Sequence, residues 1–315
     1  MKKIVYVLVA VCLMSVFCLC GCGKSQPLKV YVPDGAPSLS LVSLMAENYE
    51  IGGKQTHYEI VSSEKIAGLV ANKSASLAVL PTNLATKVCG EEYKILSVMT
   101  FGNLYILGKG DDISQMLGNS LYVLNLNNVP GLTLRLALQS LNIDFSLTTQ
   151  TQNNVKLVGS SANEIIAGFM TEQIKFAVVA EPALSKICAN VSGLNILCDI
   201  QKVYGNYPQS VLVVKKNLLN DKKIKQLVTK LSRNKEFLQN NLDIVYDTLQ
   251  NHLEKGLTSS FSKSILTLDL IERCNVGFKL AQVEMQSLTD YVLNLHSVQS
   301  QSANPLKGDE IYEII

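Results

Sequence analysis

The sequence predicts an α/β fold made of two similar lobes joined by crossover strands, with a helical C-terminal tail packed on the first lobe. Three observations predict it. Short apolar strand-like segments alternate with helical ones, the pattern of sheets flanked by helices. A stretch in the first third of the chain recurs in the second third. Beyond Lys215 the apolar residues fall at helical spacing only.

The repeat sets the elements in order. Leu28-Lys29-Val30-Tyr31-Val32 reads as a strand, followed by a polar loop and Pro37-Ser38-Leu39-Ser40-Leu41. Ser120-Leu121-Tyr122-Val123-Leu124 reads as its counterpart, followed by Asn125 to Val129 and Pro130-Gly131-Leu132-Thr133-Leu134. In both, proline opens a helix, where its missing N–H has no intrahelical partner to lose. Lys54 to Ile60 and Asn154 to Gly159 supply second strands. Glu64-Lys65-Ile66-Ala67-Gly68-Leu69 recurs as Glu164-Ile165-Ile166-Ala167-Gly168-Phe169, the latter behind a Ser161–Glu164 capping box. Third strands follow at Leu77–Leu80 and Phe176–Val179, leading into Pro81-Thr82-Asn83-Leu84 and Glu181-Pro182-Ala183-Leu184. Strands at Ile95–Met99 and Asn103–Leu107 flank Thr100-Phe101-Gly102, where the chain crosses between lobes, and Ser210–Val214 is the return strand. The expected division is residues 28–103 with 210–315 in lobe I and 104–209 in lobe II. The alternation predicts sheets that are mainly parallel. Ile224, Leu227, Val228 and Leu231, then Met285, Leu288, Val292 and Leu295, mark helices of the tail.

At 315 residues the chain is long enough for two domains. Its 28 Lys+Arg against 26 Asp+Glu leave a net charge of +2. Removing Lys2 and Lys3 with a leader makes the two signs equal, which argues against a nucleic-acid partner. Three arginines (Arg135, Arg233, Arg273) are too few for a polyphosphate cluster, and three scattered histidines exclude a His-rich metal site. The absence of Trp weakens a case for sugar stacking. No motif calls for a metal or a cofactor.

Lys2-Lys3 followed by the apolar run Ile4 to Cys20 is the pattern of an export signal. A spanning helix is the alternative, and the end of the run decides against it. Leu19-Cys20-Gly21-Cys22 resembles the bacterial lipobox, with Leu at −3, a small residue at −1 and Cys at the cleavage point. That resemblance implies a signal peptide over 1–21, acylation of Cys22 by palmitate-type chains, and an anchored linker over 22–27. At about 0.8 kcal/mol per buried CH₂, two or three chains hold a protein on a membrane. Of the later cysteines, Cys89, Cys188, Cys198 and Cys274, none forms a CxxC pair. Cys188 and Cys198 are close enough in sequence for a disulfide, and buried free thiols are the other reading.

In α/β sheets ligands bind beyond the carboxyl ends of the strands. That places Asp34, Gly35, Ala36, Pro37, Ser38, Thr82 and Asn83 of lobe I at the candidate site. Asn127, Asn128, Pro130, Gly131, Thr133 and Glu181 of lobe II join them, with Gly102 and Asn103 at the crossover. Helices opening at Pro37 and Pro130 present free N–H groups and a positive dipole end to a small polar or anionic ligand. Ser and Asn there can equally cap the helices. Asp34 accepts from a ligand N–H or shapes the Asp34-Gly35 turn. Glu181 is a cleft acceptor or a surface residue. Tyr105, Tyr122, Tyr204 and Tyr207 are the aromatics best placed to line a cleft.

The ordered motifs resemble a known family. Val32-Pro33-Asp34-Gly35-Ala36-Pro37, Ala78-Val79-Leu80-Pro81-Thr82-Asn83, Gly102-Asn103-Leu104-Tyr105 and Val129-Pro130-Gly131-Leu132-Thr133-Leu134 carry the likeness. Glu181-Pro182, Tyr207-Pro208-Gln209 and the tail Asn304 to Tyr312 extend it over the mature chain. Together they are similar to the type II solute-binding lipoproteins of bacterial ABC importers, in the branch of nitrate, sulfonate, taurine and thiamine-pyrimidine binders. The resemblance implies the type II periplasmic-binding-protein fold and a monomer anchored on the extracytoplasmic face of the cell membrane. It also implies a small-molecule ligand delivered to an ABC permease and ATPase, and no enzymatic activity. Asn125-Leu126-Asn127-Asn128 departs from the Gly-rich loop usual in relatives, so side-chain amides replace close backbone approach there. Two other functions fit the same scaffold: an enzyme of pyrimidine or menaquinone precursor synthesis, and an anchored ligand sensor. No Ser-His-Asp order or paired-carboxylate spacing supports the enzyme.

Overall fold

A computed structural model describes residues 26–216 and 218–314. The predicted leader and Cys22 lie outside the described residues. Among those described, the strands in chain order are β1 (Leu28–Pro33), β2 (Thr56–Val61), β3 (Leu77–Pro81), β4 (Tyr93–Phe101), β5 (Leu104–Gly108) and β6 (Ser120–Leu124). They continue as β7 (Phe145–Ser146), β8 (Val155–Ser160), β9 (Phe176–Ala180), β10 (Asn195–Asp199), β11 (Pro208–Lys215) and β12 (Val276–Leu280).

They form two six-stranded sheets, ordered β12-β4-β11-β3-β1-β2 and β10-β5-β9-β6-β8-β7. The five-strand run β2-β1-β3-β11-β4 matches β8-β6-β9-β5-β10 in order and direction, so the internal repeat is a repeat of topology. The fourth strand of each run is supplied across the crossover, β5 to the second sheet and β11 back to the first. Both run antiparallel to their neighbours. The sheets are therefore mixed rather than mainly parallel: a strand arriving from the opposite lobe enters at the carboxyl end of its neighbour and must run the other way.

Side chains alternate across each strand. Val30 and Val32 of β1 face one apolar cluster with Leu77 and Val79, and Tyr31 faces a second with Ala78 and Leu80. Helices cover both faces, which is why these strands read as continuous apolar runs. The tail helices Asp221–Leu231, Asn234–Asn240 and Leu242–Asn251 lay Ile224, Leu227, Leu231, Leu238, Val245 and Leu249 on the first face of lobe I. Each such leucine contributes about 1.5–3 kcal/mol on full burial. The last helix, Met285–Val298, does more than close lobe I. Its Leu288 joins the lobe I core, while Tyr291, Val292 and Leu295 join the core of lobe II.

Candidate functional site

The site is built by the crossovers. Ser210 of β11 pairs with Pro81 at the end of β3, and Leu104 of β5 pairs with Ala180 at the end of β9. Each crossover strand thus starts beside the carboxyl end of its neighbouring strand. Only Gly102 and Asn103 separate β4 from β5. A link this short brings the strand-carboxyl ends of both sheets to one junction, where ligands bind in such folds.

Asn275 holds the junction together. Its Nδ2 donates to the Gly102 carbonyl (2.8 Å) and to Asn206 Oδ1 (2.9 Å), and its carbonyl accepts from the Phe101 N–H (3.0 Å). Both crossovers are tied to one side chain. Gly102 is packed so closely that a Cβ would come 2.5 Å from the Tyr207 ring. Asn103 is 1% exposed, and neither its Oδ1 nor its Nδ2 has a partner. The Tyr207 hydroxyl lies near the Asn103 backbone amide without forming a well-aligned hydrogen bond.

On the lobe I side, Asp34 Oδ2 accepts from the Ser260 N–H (2.7 Å) and hydroxyl (2.6 Å), while Oδ1 is buried and unpartnered. Gly35 sits at φ 96°, a conformation that a side chain would strain. The helix expected to open at Pro37 is one turn long, Ala36–Leu39, before the chain bends into a second short helix, Val42–Ala46. One turn aligns too few peptide dipoles for a strong anion site. The Ser38 hydroxyl donates to the Gly35 carbonyl (2.8 Å) and so closes this turn. Thr82 Oγ1 donates to the Pro208 carbonyl (2.7 Å). Asn83 Nδ2 donates to the Ser302 carbonyl (3.2 Å), which fixes the amide and leaves its buried Oδ1 free.

On the lobe II side, Pro130 and Gly131 open the helix Val129–Ser140, and Asn128 precedes it without a side-chain cap. Leu126 packs over Gly131 so tightly that a Cβ there would come 2.0 Å from the Leu126 carbonyl oxygen. Thr133 Oγ1 donates to the Val129 carbonyl and meets the Tyr291 hydroxyl, both at 2.7 Å, so it serves interhelical packing. Asn127 Oδ1 accepts from Arg135 Nη2 (3.4 Å).

Glu181, at the end of β9, reaches across to lobe I. Arg273 Nε donates to its Oε1 at 2.6 Å, and Arg273 Nη2 donates to Ser185 Oγ at 3.0 Å. The Ser185 hydroxyl and N–H also donate to the Glu181 carboxylate. Burial alone would lower the Arg273 pKa, but the bond to Glu181 and its charge leave it raised. Tyr105 adds a hydroxyl bond to the Arg273 carbonyl (3.4 Å). Tyr204, Tyr207 and Tyr291 form a cluster beside Thr133, with Tyr207 and Tyr291 stacked at 5.0 Å.

Sequence reasoning misses Arg135, Ser260, Arg273 and Asn275. Arg135 carries a signal: it is the one charge in a run from Val129 to Leu138 that is otherwise apolar or small. Arg273 carries none, since its partner is 92 residues away. Cys89, Cys188, Cys198 and Cys274 are free thiols, Cys188 exposed and Cys198 buried, so the disulfide reading is set aside. Burial pushes the Cys198 thiol up to about 11, away from reactivity. Among the described residues no group of three His, Cys, Asp or Glu could hold a metal, and no helix is long and apolar enough to cross a membrane.

No protein family and no curated protein matches the chain in sequence. Solved structures match it in fold. An ABC transporter structure from Parabacteroides distasonis superposes with TM-score 0.76 at 19% identity, covering 92% of this chain and 99% of that one. The periplasmic aliphatic sulphonate binding protein SsuA from Escherichia coli gives TM-score 0.68 at 11% identity, over 92% and 93%. The ligand binding component of an ABC-type import system from Staphylococcus aureus, with zinc bound, gives 0.62 at 18%, over 92% and 97%. At these identities the likeness establishes the two-lobed α/β fold of periplasmic binding proteins.

Proposed function

We propose that this chain is the lipid-anchored, extracytoplasmic substrate-binding component of an ABC importer. It captures one small polar or anionic molecule between lobe I (28–103 with 210–315) and lobe II (104–209), and presents it to a permease and its ATPase. The observation that carries this reading is the junction itself. Two sheets present their strand-carboxyl ends to short crossovers, and buried polar atoms of Asp34, Asn83 and Asn103 stand there without partners. Buried polar groups in proteins are nearly always bonded, so unpartnered ones at a fold's ligand position point to a guest. The fold shared with importer binding proteins supports the same reading.

Capture works by hinge bending, with a few crossover residues absorbing the dihedral change. The Lys2-Lys3 head, the apolar run and Cys22 support export, removal of residues 1–21 and acylation, and the mature protein acts as a monomer. Calorimetric and thermal-shift titration with small anions, amino acids and heterocycles tests capture; no stabilisation by any of them overturns it. Labelling of cells with radioactive palmitate tests the anchor. Label should enter the wild-type chain and not Cys22→Ser, which should also retain residues 1–21 because its cleavage point is lost.

A further inference from the structure

The base of lobe I, the edge farthest from the junction, carries an uneven charge. The parallel strands β1, β2 and β3 all start at this edge, and β11, running the other way, ends there. Lys29 is the one exposed position of β1. Its backbone N–H bonds Ser76 Oγ just before β3, and the Lys215 N–H bonds the Ser76 carbonyl. Lys215 Nζ donates to the Lys73 carbonyl (3.4 Å), and Lys216 Nζ to the Gly90 carbonyl (3.1 Å). Lys54 adjoins Gln55, whose carbonyl takes the Leu28 N–H. The Lys223 side chain lies over Gly52, which brings the first turn of the helix Asp221–Leu231, with exposed Lys222, to the same edge. Against these seven lysines stand four acids, Glu50, Glu91, Glu92 and Asp221, of which Glu92 pairs with Lys73. Towards β4 the charges balance, where Lys94 bonds the Asp309 carbonyl beside Glu310.

The repeat supplies the comparison. At the corresponding edge of lobe II, where β6, β8 and β9 start and β5 ends, Lys109, Lys156 and Lys175 face Asp111, Asp112, Asp144 and Glu172. Keeping a sheet edge solvated takes charges of either sign, so solvation does not explain an excess of lysine on one lobe alone. What separates the two edges is the tether. Leu28 opens β1 at the lobe I base, and Cys22 is six positions earlier. Even fully extended, that stretch spans only about 20 Å. An acylated Cys22 therefore holds the lobe I base close to the bilayer, while lobe II stands beyond the junction. Lysines within about a Debye length, roughly 10 Å, of an anionic membrane surface are drawn to it. We propose that the base of lobe I is a docking face for the headgroups of an anionic lipid bilayer. Docked this way, the junction at the other end of the same strands points away from the membrane. The inference rests on the lipid-anchor reading and adds to it the surface that meets the lipid and the charge of that lipid.

The test uses the full chain, expressed in a bacterium that processes lipoproteins, purified in detergent and placed in protein-free vesicles. One set of vesicles is phosphatidylcholine alone, and the other contains phosphatidylglycerol as about a third of the lipid. Initial rates of lysine acetylation are read peptide by peptide by mass spectrometry, and the N-terminal peptide reports whether Cys22 is acylated. On anionic vesicles in low salt, Lys29, Lys54, Lys216 and Lys222 should react at least about threefold more slowly than on neutral ones, as charge-driven contact requires. Lys175 and Lys186 of lobe II should react equally on both. The difference should vanish in about 0.5 M salt, which shortens the reach of the surface charge. The triple variant Lys54→Gln, Lys216→Gln, Lys222→Gln should lose the shielding of Lys29. Equal rates on the two vesicles with Cys22 acylated overturn the docking face and leave the anchor standing. A chain without acylation at Cys22 loses its tether, and both readings fall. Shielding in native membranes but not on anionic vesicles would assign the face to a protein partner and overturn the proposal. Should the triple variant fail to fold, the wild-type comparison of the two lipids still decides.

Discussion

A Cβ on Gly131 would meet the Leu126 carbonyl oxygen at 2.0 Å. The obstacle is backbone, which cannot swing aside as a side chain could. Gly131→Ala should therefore lower stability by about 2 kcal/mol through overpacking, read from urea unfolding. At the cross-lobe pair the two partners are unequal. The Glu181 side chain is 0% exposed and that of Arg273 36%. Arg273→Met strands a carboxylate away from water and should cost about 3 kcal/mol. Glu181→Gln leaves a guanidinium that water reaches and should cost only about 1 kcal/mol. Equal losses from the two variants in chemical denaturation would contradict this asymmetry. Single residues at the site are partly legible in sequence. The Asp34-Gly35 turn can be read because glycine there needs positive φ. The partners of Asp34 and Glu181 cannot be, since Ser260 and Arg273 come from a tail whose helices carry only a packing pattern.

Glu254 links elements that are far apart in the chain. Its backbone N–H bonds the Ile60 carbonyl of β2, one Oε accepts from the Ser62 N–H (2.9 Å), and the other pairs with Lys65. The bond to Lys65, and next that to Ser62, hold its carboxyl below the ordinary 4.5. A lowered acid contributes stability that is complete above its unfolded value and is lost as pH falls through the folded one. Glu254→Gln should thus be less stable than wild type near neutrality, with the difference closing in acid. A constant gap across that range would show that Glu254 acts without its charge. The elements themselves are well marked in sequence. β6 spans Ser120–Leu124 and the Ser161–Glu164 capping box forms as expected. β10 and β12 are not. β10 buries Cys198 alone and carries no clear alternation, and β12 pairs with β4 only at its two ends. The helix at Pro37 is shorter than its opening suggests, because proline marks where a turn of helix starts and says nothing about where it stops.

At the scale of the molecule, the repeat makes the two-lobed design legible in the sequence, because each half must solve the same packing problem. The crossing and its return strand are legible too, but the antiparallel direction of β5 and β11 is not, since strand direction leaves no trace in an apolar run. The chain passes from β4 of the first sheet into β5 of the second and returns from β10 into β11, and Asn275 fastens both crossings. Asn275→Ala should raise amide hydrogen exchange at Asn103 and Asn206 while leaving β1 and β6 protected; unchanged rates at the crossovers would assign the hinge elsewhere. The helix Met285–Val298 packs into the cores of both lobes. The most direct measurement is a crystal structure with the tightest ligand found. Density for one molecule is expected between the Asp34 loop and the start of the helix Val129–Ser140, touching both lobes. A ligand seated on one lobe alone, or on an outer face away from Gly102 and Asn103, would contradict it.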